Sequence, residues 1–173
     1  MGFRRKNDPI SQNMKKIIAG IGLGVLFFII GGFLLFIFKY LLIENLFGED
    51  FVGKGEGGAI SSEPIEPSLV QLIIIIILHI LIIGICEEAF FRGFIINKCK
   101  KKLNLTYVVV ISAICFAFYH VPPFLVPLTT IITYFGYFFT FGILLALIYI
   151  YFDYSLIPCC IAHSVFNILI LIS

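Results

Sequence analysis

The sequence has few charged residues. Asp, Glu, Lys and Arg together make up 13% of its 173 positions, and most of them lie in three short segments. Hydrophobic residues make up 61% of the chain, and the mean hydropathy is +1.11. A soluble globular domain carries about 25% charged residues, so that class is excluded. The composition is typical of a protein that lies within the lipid bilayer.

Two other patterns are missing. Basic and aromatic residues are not interleaved as they are on nucleic-acid-binding surfaces, and the formal net charge is only +2, so we expect no nucleic-acid partner. The cysteines are odd in number and lack the spacing of a metal finger. All of them lie in or beside apolar runs, where a free cysteine behaves as a small hydrophobe, so we expect no disulfides. They are Cys86, Cys99, Cys115, Cys159 and Cys160.

Apolar runs long enough to cross a bilayer recur along the chain. A helix needs about 20 apolar residues to cross the hydrocarbon core, and the runs predict an all-α fold, a polytopic membrane helix bundle with about five transmembrane spans. Val121-Pro122-Pro123 should end the third span after His120, and residues 124–133 predict a short re-entrant or interfacial piece. The expected spans are 17–42, 68–97, 104–120, 134–151 and 158–171.

The chain divides into three regions by composition. Residues 1–16 form a basic tail, residues 17–67 an accessory span with an acidic loop, and residues 68–173 the helix bundle that carries the polar sites. The loop, from residue 44 onward, is rich in Glu, Gly and Pro and is predicted to be flexible. The distribution of lysine and arginine places the N-terminus and the cluster at 98–102 on the cytoplasmic side.

Three polar groups interrupt the apolar runs. They have the spacings Glu-Glu-x-x-x-Arg, Phe-x-x-x-His and His-x-x-x-Asn, and they fall in the second, third and fifth spans. A charge at membrane depth costs about 2.5–3.5 kcal/mol, so such residues usually face the bundle interior and serve a function. The residues are Glu87, Glu88, Arg92, Phe116, His120, His163 and Asn167.

Helical spacing separates the roles of the first group. Glu88 and Arg92 are four residues apart and can form a buried ion pair. Glu87 points about 100° away from Glu88 and lacks that partner, which suits a general base. His120 can share a water molecule with Glu87, and Phe116, one turn below His120, can form a wall of the pocket.

The third group offers hydrogen-bond donors. His163 and Asn167 share one helix face and can donate N–H groups to the oxyanion of a tetrahedral intermediate. A carboxylate base, a water molecule and an oxyanion site are the minimum for peptide hydrolysis. Ser164 follows His163 directly and points to another face, so it is not predicted to be a nucleophile.

The order of the three motifs resembles the CAAX-protease and bacteriocin-processing (CPBP) family of intramembrane endopeptidases. That family includes type II CAAX prenyl proteases, Abi proteins and lysostaphin resistance protein A-like proteins. The resemblance covers residues 68–170. It implies that Glu88 and Arg92 support the catalytic site. It also implies a peptide or protein substrate at the lipid bilayer, either prenylated at a CAAX-type end or unprenylated.

The resemblance also implies the catalytic roles. Glu87 with His120 would activate water, and His163 with Asn167 would form the oxyanion site. Glu87, His120 and His163 are equally the His₂Glu set of a catalytic zinc. Since the sequence has no H-E-x-x-H pair, we expect no cofactor, with one zinc ion as the alternative.

Two other functions remain open at this point. One is a non-catalytic membrane scaffold or a bacteriocin-immunity-type protein with the same fold. The other is a small transporter that relays protons through Glu87 and the histidines, although the two halves of the chain show no internal repeat. The scaffold predicts that substitution of Glu87 leaves the phenotype intact, and the transporter predicts solute flux.

Overall fold

Nearly all of the described chain is helical. The computed structural model describes residues 10–58 and 68–173, and these residues contain no strand. Long apolar runs fold into helices because lipid offers the backbone no hydrogen-bond partners, so each segment must satisfy its own N–H and C=O groups. Taking contiguous helical turns together, these residues form α1 (Ile10–Phe47), α2 (Glu49–Gly57), α3 (Leu69–Cys99), α4 (Leu105–His120), α5 (Leu128–Tyr151) and α6 (Leu156–Ile172).

Five of these helices are the expected apolar ones. Helices α1, α3 and α5 are long and apolar enough to cross a membrane, whereas α4 and α6 are apolar but shorter, with 16 and 17 residues. All five cysteines are free thiols. The prediction of an all-α membrane helix bundle is confirmed, and the chain is a membrane protein with multiple spans.

Capping residues explain why two predicted starts are close to the observed ones. At the start of α3, the backbone N–H of Ser68 donates to Gln71 Oε1 at 2.9 Å and the Gln71 N–H donates back to Ser68 Oγ, which is a capping box. At the start of α4, Asn104 Oδ1 accepts from the Thr106 N–H at 2.9 Å. Helix α4 ends at His120, as the following prolines predict.

The first span is longer than predicted at both ends. Helix α1 begins at Ile10, so Lys15 and Lys16 lie within it rather than in a tail, and it continues to Phe47. No glycine or proline occurs in residues 10–19, so nothing in the sequence interrupts the helix there. Residues 1–9 of the predicted tail lie outside the described residues.

The prediction of a flexible loop from residue 44 is wrong for its first half. Helix α2 lies there and packs on α5, and Glu56 forms an ion pair with the buried Lys39 of α1. Thr130 Oγ1 also donates to the Gly55 carbonyl oxygen at 2.8 Å. Because Gly55 has no side chain, the backbone can approach α5 this closely. Residues 59–67 of the predicted loop lie outside the described residues.

Of the two alternatives for residues 124–133, the re-entrant piece is wrong, whereas an interfacial position of the turn stays a prediction. Residues 121–127 form a turn in which the Leu125 N–H donates to the Pro122 carbonyl oxygen at 3.0 Å. Helix α5 then begins at Leu128, with Pro127 as its N-cap, and runs for 24 residues without a break. A proline just before a helix start leaves the helix intact, because no intrahelical N–H is lost.

Helices α1 and α6 pack along each other, and α4 packs against α5. A Cβ atom on Gly20 would lie 2.8 Å from Ile161 Cβ, and one on Gly24 would lie 2.6 Å from Val165 Cβ. Four residues farther along α1, the facing residue is also four residues farther along α6, so the two helices run in the same direction. Small residues at these positions therefore bring α1 and α6 together, as they do in other membrane bundles.

The basic residues collect at one end of the bundle. Lys100 Nζ lies 3.4 Å from the centre of the Tyr154 ring, which places the 98–102 cluster beside the turn between α5 and α6. The Gly20 backbone lies close to Pro158, so α1 also begins at this end. We call it the basic end, defined by Lys15, Lys16 and the lysines at 98–102. Its position on the cytoplasmic side stays a prediction.

Candidate active site

The expected ion pair on α3 is present and fully buried. Arg92 Nη1 donates to Glu88 Oε1 at 2.8 Å, and both side chains are 0% exposed. Arg92 Nη2 also donates to the Gly142 carbonyl oxygen of α5 at 3.2 Å. The two glutamates sit in a short α-helical segment, Ile85–Glu88, between π-helical stretches on either side. The hydrogen bond from Arg92 to Gly142 therefore joins α3 to α5 at the depth of the site.

Glu88 has a second contact that the sequence did not predict. Its Oε1 atom lies 2.9 Å from His163 Nδ1 on α6. Because Arg92 can only donate, Oε1 acts as a carboxylate acceptor, and the Nδ1–H of His163 donates to it. One buried oxygen thus fixes both a guanidinium and an imidazole, and it sets the orientation of the His163 ring.

His120 is held by its own helix and by aromatic rings. Its Nδ1 lies 3.0 Å from the Phe116 carbonyl oxygen, which can only accept, so Nδ1 carries the hydrogen. The Phe116 ring lies 4.3 Å from the His120 ring, centre to centre, and Phe138 of α5 stacks on it at 4.6 Å and 27°. These contacts leave Nε2 as the free nitrogen of His120.

Three helices bring their remaining polar atoms to one point. His120 Nε2 lies 3.8 Å, and His163 Nε2 3.9 Å, from Oε2 of Glu87. That oxygen is buried and has no hydrogen-bond partner among the described residues. In the neutral imidazoles both Nε2 atoms are acceptors, as the carboxylate oxygen is. Acceptors spaced in this way suit a water molecule that donates to two of them.

A cavity of about 220 Å³ opens beside this point. His120, His163 and Asn167 supply polar atoms to its wall, together with Tyr137 of α5. The Asn167 amide has no hydrogen bond to any described residue, so its N–H groups remain available to a substrate. The other lining residues are apolar or aromatic: Phe27, Phe116, Phe138, Phe141, Leu145, Phe166 and Ile170.

The predicted zinc ligands do not fit a closed zinc site as they stand. Oxygen and nitrogen ligands at about 2.0–2.2 Å from a tetrahedral zinc lie about 3.3–3.5 Å from each other. The two distances to Glu87 Oε2, 3.8 and 3.9 Å, are longer. Within the described residues, no group of three His, Cys, Asp or Glu side chains has the geometry to hold a metal ion.

The seven residues predicted from the sequence do not include the contribution of α5. Phe138 and Tyr137 lie in an aromatic run from Tyr134 to Phe141, and no polar residue marks which of these rings faces the site. Ser112 of α4 was missed too, although its Oγ donates to the Phe91 carbonyl oxygen at 3.0 Å and joins α4 to α3. These residues can be identified only once it is known how the helices are aligned along one another, and the sequence does not give that alignment.

The fold and the site together define a helical membrane protein with a carboxylate and two histidines at a buried cavity. A family model described as "Type II CAAX prenyl endopeptidase Rce1-like" matches residues 69–169, more than half of the chain. The chain belongs to this family of CAAX-type membrane proteases, and the resemblance found in the sequence is confirmed. Searches of curated proteins and of solved structures found no match.

Proposed function

We propose that this protein is an intramembrane endopeptidase that hydrolyses a peptide bond of a membrane-associated substrate. The observation that carries the proposal is the convergence of His120 Nε2 and His163 Nε2 on Glu87 Oε2, at 3.8 and 3.9 Å. Family membership supports the same activity. The site lies beside a cavity rather than on an open surface, which fits the exclusion of bulk water from the reaction.

In the first step, Glu87 and His120 hold the attacking water. The water donates one hydrogen to Glu87 Oε2 and the other to His120 Nε2. As its oxygen attacks the scissile carbonyl carbon, one proton passes to Glu87, the base in hydrogen-bond reach.

In the second step, Asn167 and His163 stabilise the tetrahedral intermediate. The Asn167 amide donates to the oxyanion directly. His163 already uses its Nδ1–H on Glu88, so it can donate from Nε2 only after it receives the proton that Glu87 took from water. The adjacent Glu88 carboxylate stabilises the resulting imidazolium. His163 then passes that proton to the amide nitrogen, the oxyanion re-forms a carbonyl, and the C–N bond breaks to release an amine and a carboxylic acid.

The substrate class follows from the family and the cavity lining. The cavity is largely aromatic and aliphatic, so it suits apolar side chains of a chain end, and a prenylated CAAX-type protein is the candidate that the family favours. With the basic end in the cytoplasm, the C-terminal end of such a protein would enter from the cytoplasmic side. An unprenylated membrane peptide is the alternative.

The test is cleavage of quenched fluorescent peptides, prenylated and unprenylated, by the purified protein. We expect hydrolysis of at least one peptide, and loss of activity in Glu87→Ala and in His163→Ala. A chelator distinguishes zinc from glutamate-activated water, since only a metal-dependent enzyme loses activity with it. If the wild type and both variants cleave at the same rate, the proposed site is wrong. If no peptide is cleaved and Glu87→Ala keeps the cellular phenotype, the scaffold or immunity function is favoured.

A further inference from the structure

A second cavity lies on the outside of the bundle, between α1 and α5. It is a groove of about 560 Å³, and its walls are apolar apart from the hydroxyl group of Tyr151. Ala19, Gly22 and Leu26 of α1 form one wall, and Leu147 and Tyr151 of α5 form part of the other. None of the residues that line the active-site cavity lines this groove. It is therefore a separate feature of the membrane-facing surface.

A lysine lies on the groove-facing side of α1, toward the basic end. Lys15 precedes Ala19 by four residues, and Gly22 and Leu26 follow at steps of three and four, so all of them lie on one face of α1. Lys15 is exposed and forms no ion pair with a described residue. Its Cα lies about one helical turn, or about 6 Å along the helix axis, before that of Ala19 at the end of the apolar wall. Tyr151, 82% exposed, lies at the same end.

The charge around this end is strongly positive. Among the described residues, Asp153 is the only acidic one at the basic end. The lysines there are Lys15, Lys16, Lys98, Lys100, Lys101 and Lys102. A bound group at the mouth of the groove therefore meets a field that favours negative charge. Its apolar part meets only carbon-rich walls.

We propose that the groove binds an acyl chain of an anionic membrane phospholipid and that Lys15 contacts the phosphate of that lipid. An aliphatic chain at membrane depth matches the apolar walls, and a lysine just beyond them lies where a headgroup begins. The net negative charge of the headgroup distinguishes this lipid from a zwitterionic one. A bound lipid would hold α1 against α5, the two helices that supply Phe27 and Leu145 to the active-site cavity.

The test is native mass spectrometry of the delipidated protein, titrated with phosphatidylglycerol or with phosphatidylcholine. We expect one phosphatidylglycerol to bind with an apparent Kd about fivefold lower than that of phosphatidylcholine, the contribution of one lysine near a lipid surface. Lys15→Gln should remove this preference, whereas Lys101→Gln at the same end should keep it. Equal binding of the two lipids, or equal effects of the two lysine variants, would overturn the proposal.

A second pair of variants tests the groove itself. Gly22→Leu would fill it, and Gly32→Leu is the matched control on the same helix, because a Cβ at either position meets no atom within 4 Å. We expect Gly22→Leu to weaken phosphatidylglycerol binding about tenfold or more and Gly32→Leu to leave it unchanged. Retained binding in Gly22→Leu would contradict the proposal. A dimer in the same spectra that Gly22→Leu abolishes would assign the groove to a second copy of the chain instead.

Discussion

His163 Nδ1 lies 2.9 Å from Oε1 of Glu88, the same oxygen that accepts from Arg92 at 2.8 Å. This contact gives the two adjacent glutamates different surroundings. Glu88 is fully buried, and its Oε1 is bonded to both Arg92 and His163, although its Oε2, like Oε2 of Glu87, has no hydrogen-bond partner among the described residues. Glu87 makes no such bonds, and its Oε2 lies 3.8 and 3.9 Å from the Nε2 atoms of His120 and His163. The proposed mechanism needs this difference, since the orienting group must be held in place and the base must have no fixed partner.

The two glutamates should therefore differ in their effect on stability. Glu88→Ala leaves the Arg92 charge buried without its partner, and loss of one partner of a buried ion pair typically costs about 3–5 kcal/mol. Glu87→Ala removes no ion pair shorter than 3.8 Å. We expect a clear fall in the thermal unfolding midpoint for Glu88→Ala and a much smaller change for Glu87→Ala, both measured in the same detergent. Equal midpoints would show that the Glu88 pair does not hold the fold.

Asn167 should affect the rate more than binding. As the proposed donor to the oxyanion, it acts mainly in the transition state, and removal of one such donor typically lowers kcat by about 10²–10³. We expect Asn167→Leu, which keeps the number and branching of the side-chain heavy atoms, to lower kcat by this factor with little change in KM, as measured with the cleaved peptide. A raised KM with unchanged kcat would instead place Asn167 in ground-state binding.

The sequence indicated which residues to consider for this site, but not how they are arranged. Polar residues inside apolar helices stand out because lipid penalises them, so six of the seven predicted site residues were singled out in this way. Phe116 was added because it lies one turn below His120, and the catalytic roles of all seven stay a prediction. Their contacts were harder to predict because they depend on the relative register of helices. Glu88 was expected to pair with Arg92 by helical spacing alone, whereas its contact with His163 joins residues that are 75 positions apart.

The fold predictions failed where composition resembles a loop. Glu49 and Asp50, with nearby glycines, read as a mobile segment, yet acidic residues in the first turn also stabilise a helix N-terminus. The contact between Glu56 of α2 and Lys39 depends on where the end of α1 lies. The length of α1 in turn exceeded the apolar run, since helix formation does not require every residue to be apolar.

Phe138 should matter to His120 although it carries no polar group. Its ring stacks on the His120 imidazole, so Phe138→Leu leaves that ring less constrained, and a displacement of about 1 Å can cost up to about 100-fold in rate. We expect kcat to fall at least several-fold. Phe139→Leu is the matched control, because Phe139 stacks on Phe135 and does not line the cavity. Equal rates for the two variants would contradict a positioning role.

The ion pair between Lys39 and Glu56 should hold α2 against the bundle. Lys39 is 7% exposed, and Glu56→Gln leaves its ammonium group without a carboxylate partner. Since Glu56 is itself about half exposed, we expect a loss of about 1–2 kcal/mol, between the values for surface and buried pairs. Hydrogen exchange of the amides of α2 should become faster in this variant. Lys54→Gln, at an exposed position on the same helix, should leave the exchange rates unchanged.

Two glycine substitutions should have opposite effects on stability. A Cβ at Gly142 would lie 2.8 Å from the Cα of Ala113, a backbone atom that cannot rotate away, so Gly142→Ala must push α5 from α4. A Cβ at Gly32 meets no atom within 4 Å, and alanine favours a helix over glycine by about 0.5–1 kcal/mol. We expect a lower unfolding midpoint for Gly142→Ala and an unchanged or higher one for Gly32→Ala.

Since the Gly142 carbonyl also accepts from Arg92, the peptidase rate of Gly142→Ala should fall with its stability. A Gly142→Ala variant that unfolds at the wild-type temperature would mean that the close contact between α4 and α5 can relax without loss.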